Sequence, residues 1–147
     1  MFSYLRLMDE QDLDWVMAVE QRVHLLPWSK RGFEQALLDG VSFVISNQDH
    51  QALGYLVVQT VLDELHLLNL AIDQTFQGQG VAQMAMKAFI ERFEDSPFQK
   101  ILLEVRESNL VARHLYLKLG FKLDGVRRNY YQTSTGREDA LLMSLVI

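Results

Sequence analysis

Residues 63–86 read DELHLLNLAIDQTFQGQGVAQMAM, and two features in this stretch set the fold. The first is a slip. Leu65 and Leu67 occupy odd positions while Leu68, Leu70 and Ile72 occupy even ones, so the inward-facing set changes phase between Leu67 and Leu68. A β-bulge explains this, because one extra residue flips every later side chain; a strand buried on both faces, where phase carries no information, is the alternative. A bulge would turn the strand away from a parallel neighbour and leave N–H and C=O groups that a ligand with amide groups could pair as a strand does. The second feature is a turn. Gly78 and Gly80 open directly into a helical pattern with no lysine or arginine before Lys87. The start of a helix carries unpaired N–H groups and the positive end of the helix dipole, which together hold an anion without a basic side chain.

Working outward, Val81, Ala85, Phe89 and Phe93 recur at four-residue spacing and predict a core helix of about four turns. Upstream, VSFVIS, LGYLVVQTV and DELHLLNLAID read as an antiparallel meander. Before it, Leu13, Val16 and Met17 suggest a helix through about Arg22 with Asp9 as a cap, and PWSKRGFEQALLDG suggests a second helix between a Ser29 cap and a Gly40 stop. Downstream, KILLEVR is a strand, SNLVARHLYLKLG a helix with a Ser or Asn cap and a terminal Gly120, and the tail two strands around TSTG. A parallel crossover flanked by antiparallel strands gives a mixed α/β sheet. At 147 residues, one domain over 1–147 is expected.

Composition narrows the function. There is no cysteine, which removes disulfides, thiolate nucleophiles and thiolate zinc sites. His24, His50, His66 and His114 lack metal-ligand spacing, so no metal is expected. The net charge of −5 argues against a nucleic-acid groove. No segment approaches the ~20 apolar residues that span a bilayer, and no leader is evident, so a soluble, cytoplasmic chain is expected, with a monomer as the default. The glycine turn lacks the Gly-Lys-Ser/Thr of a nucleotide triphosphate loop. Gln83 stands where a dinucleotide fingerprint wants its third small residue, and Phe98 and Gln99 stand where it wants an acid.

Gln77-Gly78-Gln79-Gly80-Val81-Ala82 fits the pattern Q/R-x-x-G-x-G/A and resembles the acetyl-CoA pyrophosphate loop of the GNAT family of N-acetyltransferases. The element order resembles that fold over the whole chain, including a splayed, bulged strand before the loop. EQRVHLLPWS, VLDELHLLNLAID, LLEVRESNLVARHLYLKLGF and RRNYYQTSTGREDALLM resemble the bacterial ribosomal-protein alanine N-acetyltransferases within that family. Gly78 and Ala82 stand where relatives can carry Arg and Gly, a difference that bears on affinity for the CoA phosphates.

The resemblance implies transfer of an acetyl group from acetyl-CoA to the N-terminal alanine of a small-subunit ribosomal protein, the eighteenth. A lysine side chain or small-molecule amine is the alternative acceptor, and a non-catalytic CoA-binding module the alternative class. It further implies Glu104 as general base and Tyr116 as general acid. It implies acetyl and pantetheine contacts at Leu70, Ala71 and Ile72, pyrophosphate contacts from Gly78, Gln79, Gly80, Val81, Ala82 and Gln83, and a contact of Asn109 with the CoA arm.

These roles make chemical sense. Burial of Glu104 in the apolar ILLEV would raise its pKa toward a useful range, the competing reading being an edge glutamate paired with Arg106 or another cation. An α-ammonium, with a reference pKa near 8 against roughly 10.4 for lysine, costs about 3 kcal/mol less to deprotonate. The Tyr116 phenol, near 10, is not far from a thiol at ~8.5. Main-chain N–H groups around Leu70 and Ile72 are the natural oxyanion donors. Trp28, Tyr130 and Tyr131 are candidates for a peptide slot, or for core packing. Glu20 or Asp139 could attract basic acceptor residues or be solvated surface.

Overall fold

The computed structural model describes residues 4–147. The slip lies where the sequence puts it. Strand β3 (Ala52–Val61) pairs antiparallel with β4 (Glu64–Ile72), and the register jumps from Val58↔Leu67 to Val57↔Asn69, leaving Leu68 as the extra residue. On one face Leu65 and Leu67 are buried in a core cluster, and beyond the bulge Leu70 and Ile72 pack against that same cluster. Asn69 and Ala71 turn to the opposite face and are buried there. The alternative of a doubly buried strand therefore holds only in part, because the phase does carry information.

The sheet has seven strands in the order β1-β2-β3-β4-β5-β7-β6, with β1 Tyr4–Leu7, β2 Phe43–Ser46, β5 Lys100–Arg106, β6 Lys122–Gln132 and β7 Arg137–Val146. Among the described residues only β4 and β5 pair in parallel, joined by the crossover helix α3 (Val81–Phe93). This is the expected mixed α/β sheet. β1 is an addition to the sequence reading, and β7 inserts between β5 and β6.

Helices cover both faces. On one, α3 and α4 (Leu110–Lys118) close a core built around Phe43, Phe89 and Leu65. The rings of Phe43, Phe89, Phe93 and Phe98 meet edge to face at 5.3–6.4 Å, an arrangement aromatic quadrupoles favour. On the other, α1 (Leu13–Val23) and α2 (Lys30–Asp39) pack Val16, Val19 and Phe33 onto Tyr55 and Val57. The predicted caps at Ser29 and Asn109 are present. Ser29 Oγ accepts from the Gly32 N–H at 3.1 Å, and Asn109 Oδ1 accepts from the Ala112 N–H at 3.1 Å. Asp9 caps a short 3-10 turn (Glu10–Asp12) that leads into α1, rather than α1 itself.

Candidate functional site

The parallel ladder between β4 and β5 runs from Glu64↔Lys100 to Leu67↔Leu103 and stops at the bulge. Beyond it the strands part. The Asp73 N–H donates to the Leu53 carbonyl at 2.8 Å, so Asp73 faces β3; by strand alternation Ala71 does too, while Leu70 and Ile72 face away, toward the gap. Gly54 agrees with this, since a Cβ there would collide with the Ala71 carbonyl oxygen. The result is an open strand edge along a cleft of about 1050 Å³, within reach of what a long, narrow ligand needs. Leu68, Leu70, Ile72, Leu103 and Glu104 are among its walls. Ala71 is not, because its side chain is buried under α1 and α2.

The glycine turn closes one end of the cleft. Gly78 and Gly80 take φ of 76° and 79°, and a Cβ at either would touch nothing, so it is the left-handed backbone and not crowding that demands glycine. Gly80 is the N-cap of α3, and no side chain caps the helix or places an acid in its first turn. The first N–H groups of α3 are therefore left for water or an anion. Gln77 Nε2 donates to the Ile72 carbonyl at 2.9 Å, tying the turn to the end of β4. Gly78, Gly80, Val81, Ala82 and Gln83 line the cleft; Gln79 does not, because its amide donates back to the Thr75 carbonyl at 3.3 Å.

Glu104 lies one residue past the last parallel pair. Its side chain is 31% exposed and Oε1 is 3.4 Å from Arg127 Nη1, so the burial expected of it is corrected: the carboxylate stands at a wet strand end, paired with a cation from β6 rather than with Arg106. Arg106 instead donates to the Gln132 carbonyl at 3.1 Å and stacks over Tyr131 at 4.4 Å.

Tyr116 faces Glu104's cleft from α4, buried against Phe121. Burial, with a smaller contribution from Tyr131, pushes its phenol up to about 12. Its proton is thus held throughout the neutral range, and the near balance with a thiol expected from reference values becomes an uphill donation. Tyr131 is likewise pushed up to about 12, first by burial and then by the Glu104 carboxylate.

Of the three aromatic slot candidates, Trp28 and Tyr131 line the cleft and Tyr130 does not. The β6–β7 register jumps from Arg127↔Ala140 to Tyr131↔Glu138, and Asn129 takes φ 53° in the resulting bulge. Tyr130 is carried out of the cleft to 46% exposure, with Arg127 over its ring. Asp139 accepts the Asn129 N–H at 2.9 Å, so it braces this bulge rather than standing as free surface.

The sequence reading missed a buried polar group on the opposite wall. Glu20 is 1% exposed, not solvated surface. Oε1 accepts from the Tyr55 hydroxyl at 2.6 Å and from Asn69 Nδ2 at 2.9 Å, and Oε2 from the Trp28 N–H at 2.9 Å. Burial, followed by this bond to Glu20, drives the Tyr55 phenol strongly upward. His24 completes the group, Nε2 lying 3.0 Å from Asn69 Oδ1 and 3.5 Å from Glu20 Oε1. The available signal was a carboxylate continuing the buried stripe of Leu13 and Val16, with a histidine four residues on. Among the described residues no group of His, Asp and Glu is placed to hold a metal, and no helix is long and apolar enough to cross a membrane.

Comparison with known proteins agrees with this geometry. The family described as Acetyltransferase (GNAT) family matches residues 5–121. The chain is 36% identical over 140 residues to the [ribosomal protein bS18]-alanine N-acetyltransferase of Escherichia coli K12, covering 95% of each chain. It is 37% identical over 144 residues to the enzyme of the same description from Haemophilus ducreyi, covering 94% of this chain and 96% of that one. The crystal structure of the ribosomal-protein-S18-alanine N-acetyltransferase from Escherichia coli superposes with a TM-score of 0.91 at 35% identity, over 99% of this chain and 94% of that one.

Proposed function

We propose, since the chain belongs to the acetyltransferase (GNAT) family, that it transfers the acetyl group of acetyl-CoA to the N-terminal alanine of a small-subunit ribosomal protein, the bS18 type. The observation that carries this is one continuous cleft in which an open edge of β4 runs into an uncapped helix start, with Glu104 and Tyr116 beside it. The acceptor comes from relatives alike over nearly the whole chain. With such an acceptor the address is the cytoplasm. One domain over residues 1–147, acting as a monomer, suffices, because both walls of the cleft come from a single chain.

The site fits the cosubstrate. N–H groups of Gly80, Val81, Ala82 and Gln83 hold the diphosphate in a turn free of acidic residues, and the Leu70 and Ile72 main chain meets the amides of the pantetheine arm. When bound, acetyl-CoA supplies an activated acyl carbon and a thiolate leaving group. A Leu70 or Ile72 N–H not engaged by the pantetheine arm would be the donor for negative charge developing on the acyl oxygen, and a preorganised donor of that kind is worth ~10²-fold or more. Glu104, open to water, takes a proton from the acceptor nitrogen directly or through one water. Tyr116 holds its proton ready for the departing sulfur. Because its phenol lies well above a thiol, transfer stays uphill and costs least once the carbon–sulfur bond has broken, when the sulfur is most basic. Asn109 caps α4 and lines the cleft where the CoA arm passes.

The test is incubation with acetyl-CoA and a panel of alanine-initiated peptides, lysine peptides and polyamines, read by mass spectrometry. Acetylation at the peptide α-amine is expected; labelling confined to lysine or small amines defeats the acceptor assignment. Glu104→Gln and Tyr116→Phe are each expected to lower kcat by about 10²-fold or more with acetyl-CoA binding retained by calorimetry. Undiminished turnover in both removes the catalytic assignment.

A further inference from the structure

The Glu20 group has a consequence for the acceptor half of the cleft. A carboxylate only accepts, so each of its partners donates. Asn69 therefore turns Nδ2 to Glu20, which leaves Oδ1 toward His24, and Oδ1 also only accepts. The one ring nitrogen of His24 in this group, Nε2, is thus flanked by two acceptor oxygens, at 3.0 and 3.5 Å. In the neutral ring the proton is fixed on Nε2 and the lone pair on Nδ1. No hydrogen bond among the described residues engages Nδ1. The ring is 36% exposed and lines the cleft, whereas the groups that orient it are buried.

A base held in one tautomer by a buried carboxylate and an amide, with its free nitrogen on a ring that borders the reaction cleft, is the arrangement of an activated proton acceptor. We infer that His24 accepts the first proton of the acceptor's α-ammonium through Nδ1, with Glu20 and Asn69 as its positioning residues. The inference rests on the acetyl-transfer reading above and divides its proton traffic.

An α-ammonium must lose one proton before its nitrogen can attack and a second after the nitrogen–carbon bond has formed. The first goes to His24 Nδ1, and the imidazolium so formed stands 3.5 Å from the Glu20 carboxylate before releasing its proton to water. The second goes to Glu104 on the opposite wall. Tyr116 gives one proton to the sulfur as the carbon–sulfur bond breaks and recovers one from Glu104. The balance is amide, thiol and one proton released to solvent. Glu104 does not have to take both protons of the ammonium. The Trp28 N–H bond to Glu20 keeps the segment after α1 folded back, so Trp28 and His24 border the cleft together.

The test is His24→Gln, whose side-chain NH₂ can still donate to Asn69 and Glu20 but which lacks the basic nitrogen. With an alanine-initiated peptide, kcat/KM is expected to fall about 10²-fold at pH 7. At pH 9, above the amine's own reference pKa near 8, solvent supplies the neutral amine and the deficit is expected to shrink to about tenfold or less. The Kd for acetyl-CoA and the melting temperature should not move. His24→Ala, with the ring removed, is expected to regain part of its pH 7 rate on addition of imidazole. An equal loss at both pH values without imidazole rescue, or no loss at all, overturns the inference and leaves the acetyl-transfer reading standing. A wild-type protein that binds acetyl-CoA yet acetylates no peptide α-amine overturns that reading, and this inference with it.

Discussion

β4 behaves as two strands laid end to end. From Glu64 to Leu67 both edges are paired, to β3 and β5, and the inward side chains Leu65 and Leu67 are buried. From Leu68 to Ile72 only the β3 edge is paired, and Leu68 is 44% exposed. The difference shows how one element can serve stability and binding together. A buried N–H or C=O left without a partner costs about 1–3 kcal/mol, so an open strand edge persists only where water or a ligand can reach it. The cleft supplies that access. The paired half anchors the core, and the open half presents main-chain groups whose partner is to be brought by the cosubstrate.

If that division is right, damage to the paired half should appear as lost stability with binding intact. Leu65→Ala is expected to cost about 2–5 kcal/mol, a large part of a typical folding free energy, through lost burial and the cavity left behind. Denaturant unfolding measures it, and the acetyl-CoA affinity of the folded fraction should stay within about twofold. A large loss of affinity in a protein that is still folded would mean that the two halves are coupled and the comparison fails.

The opposite experiment is deletion of Leu68. Because Leu67 pairs with Val58 and Asn69 with Val57, removing the intervening residue produces an unbroken antiparallel register and leaves every other β4 side chain on its present face. The fold is expected to survive, with a cooperative melt, while β4 straightens toward β5 and acetyl-CoA affinity drops about 10²-fold or more by calorimetry. That corresponds to roughly 3 kcal/mol. A deletion protein that binds as the wild type does would show that the bulge is not what opens the cleft.

How much of this was legible beforehand follows from the range of each interaction. The slip at Leu67–Leu68, the left-handed glycines and the caps at Ser29 and Asn109 are local, fixed by periodicity or by one side chain reaching three residues along the chain. The four residues of β1 are too short for a pattern, and the place of β7 between β5 and β6 depends on pairings that no single segment encodes. Glu20 was misjudged because its partners Tyr55 and Asn69 lie 35 and 49 residues away. Glu104 is half-buried rather than buried because β5 outlasts its parallel neighbour, and Tyr130 leaves the cleft because of a bulge with no apolar phase to betray it.

The smallest effect sharpens the comparison most, because it asks one residue to answer for both functions. Asn109 accepts the Ala112 N–H as the N-cap of α4, and it also lines the cleft. Asn109→Ala removes cap and side-chain amide together and should lower stability by about 1 kcal/mol. Asn109→Asp keeps a carboxylate oxygen as cap, one of the best residues for that position, but replaces the NH₂ donor with negative charge beside a polyanionic ligand. Its melting temperature should match the wild type while its acetyl-CoA affinity falls several-fold, on the order of 1 kcal/mol, and less so in high salt. Equal affinity in the Asp variant would confine Asn109 to the helix end and leave the main chain of β4 and the α3 start as the grip on the cosubstrate.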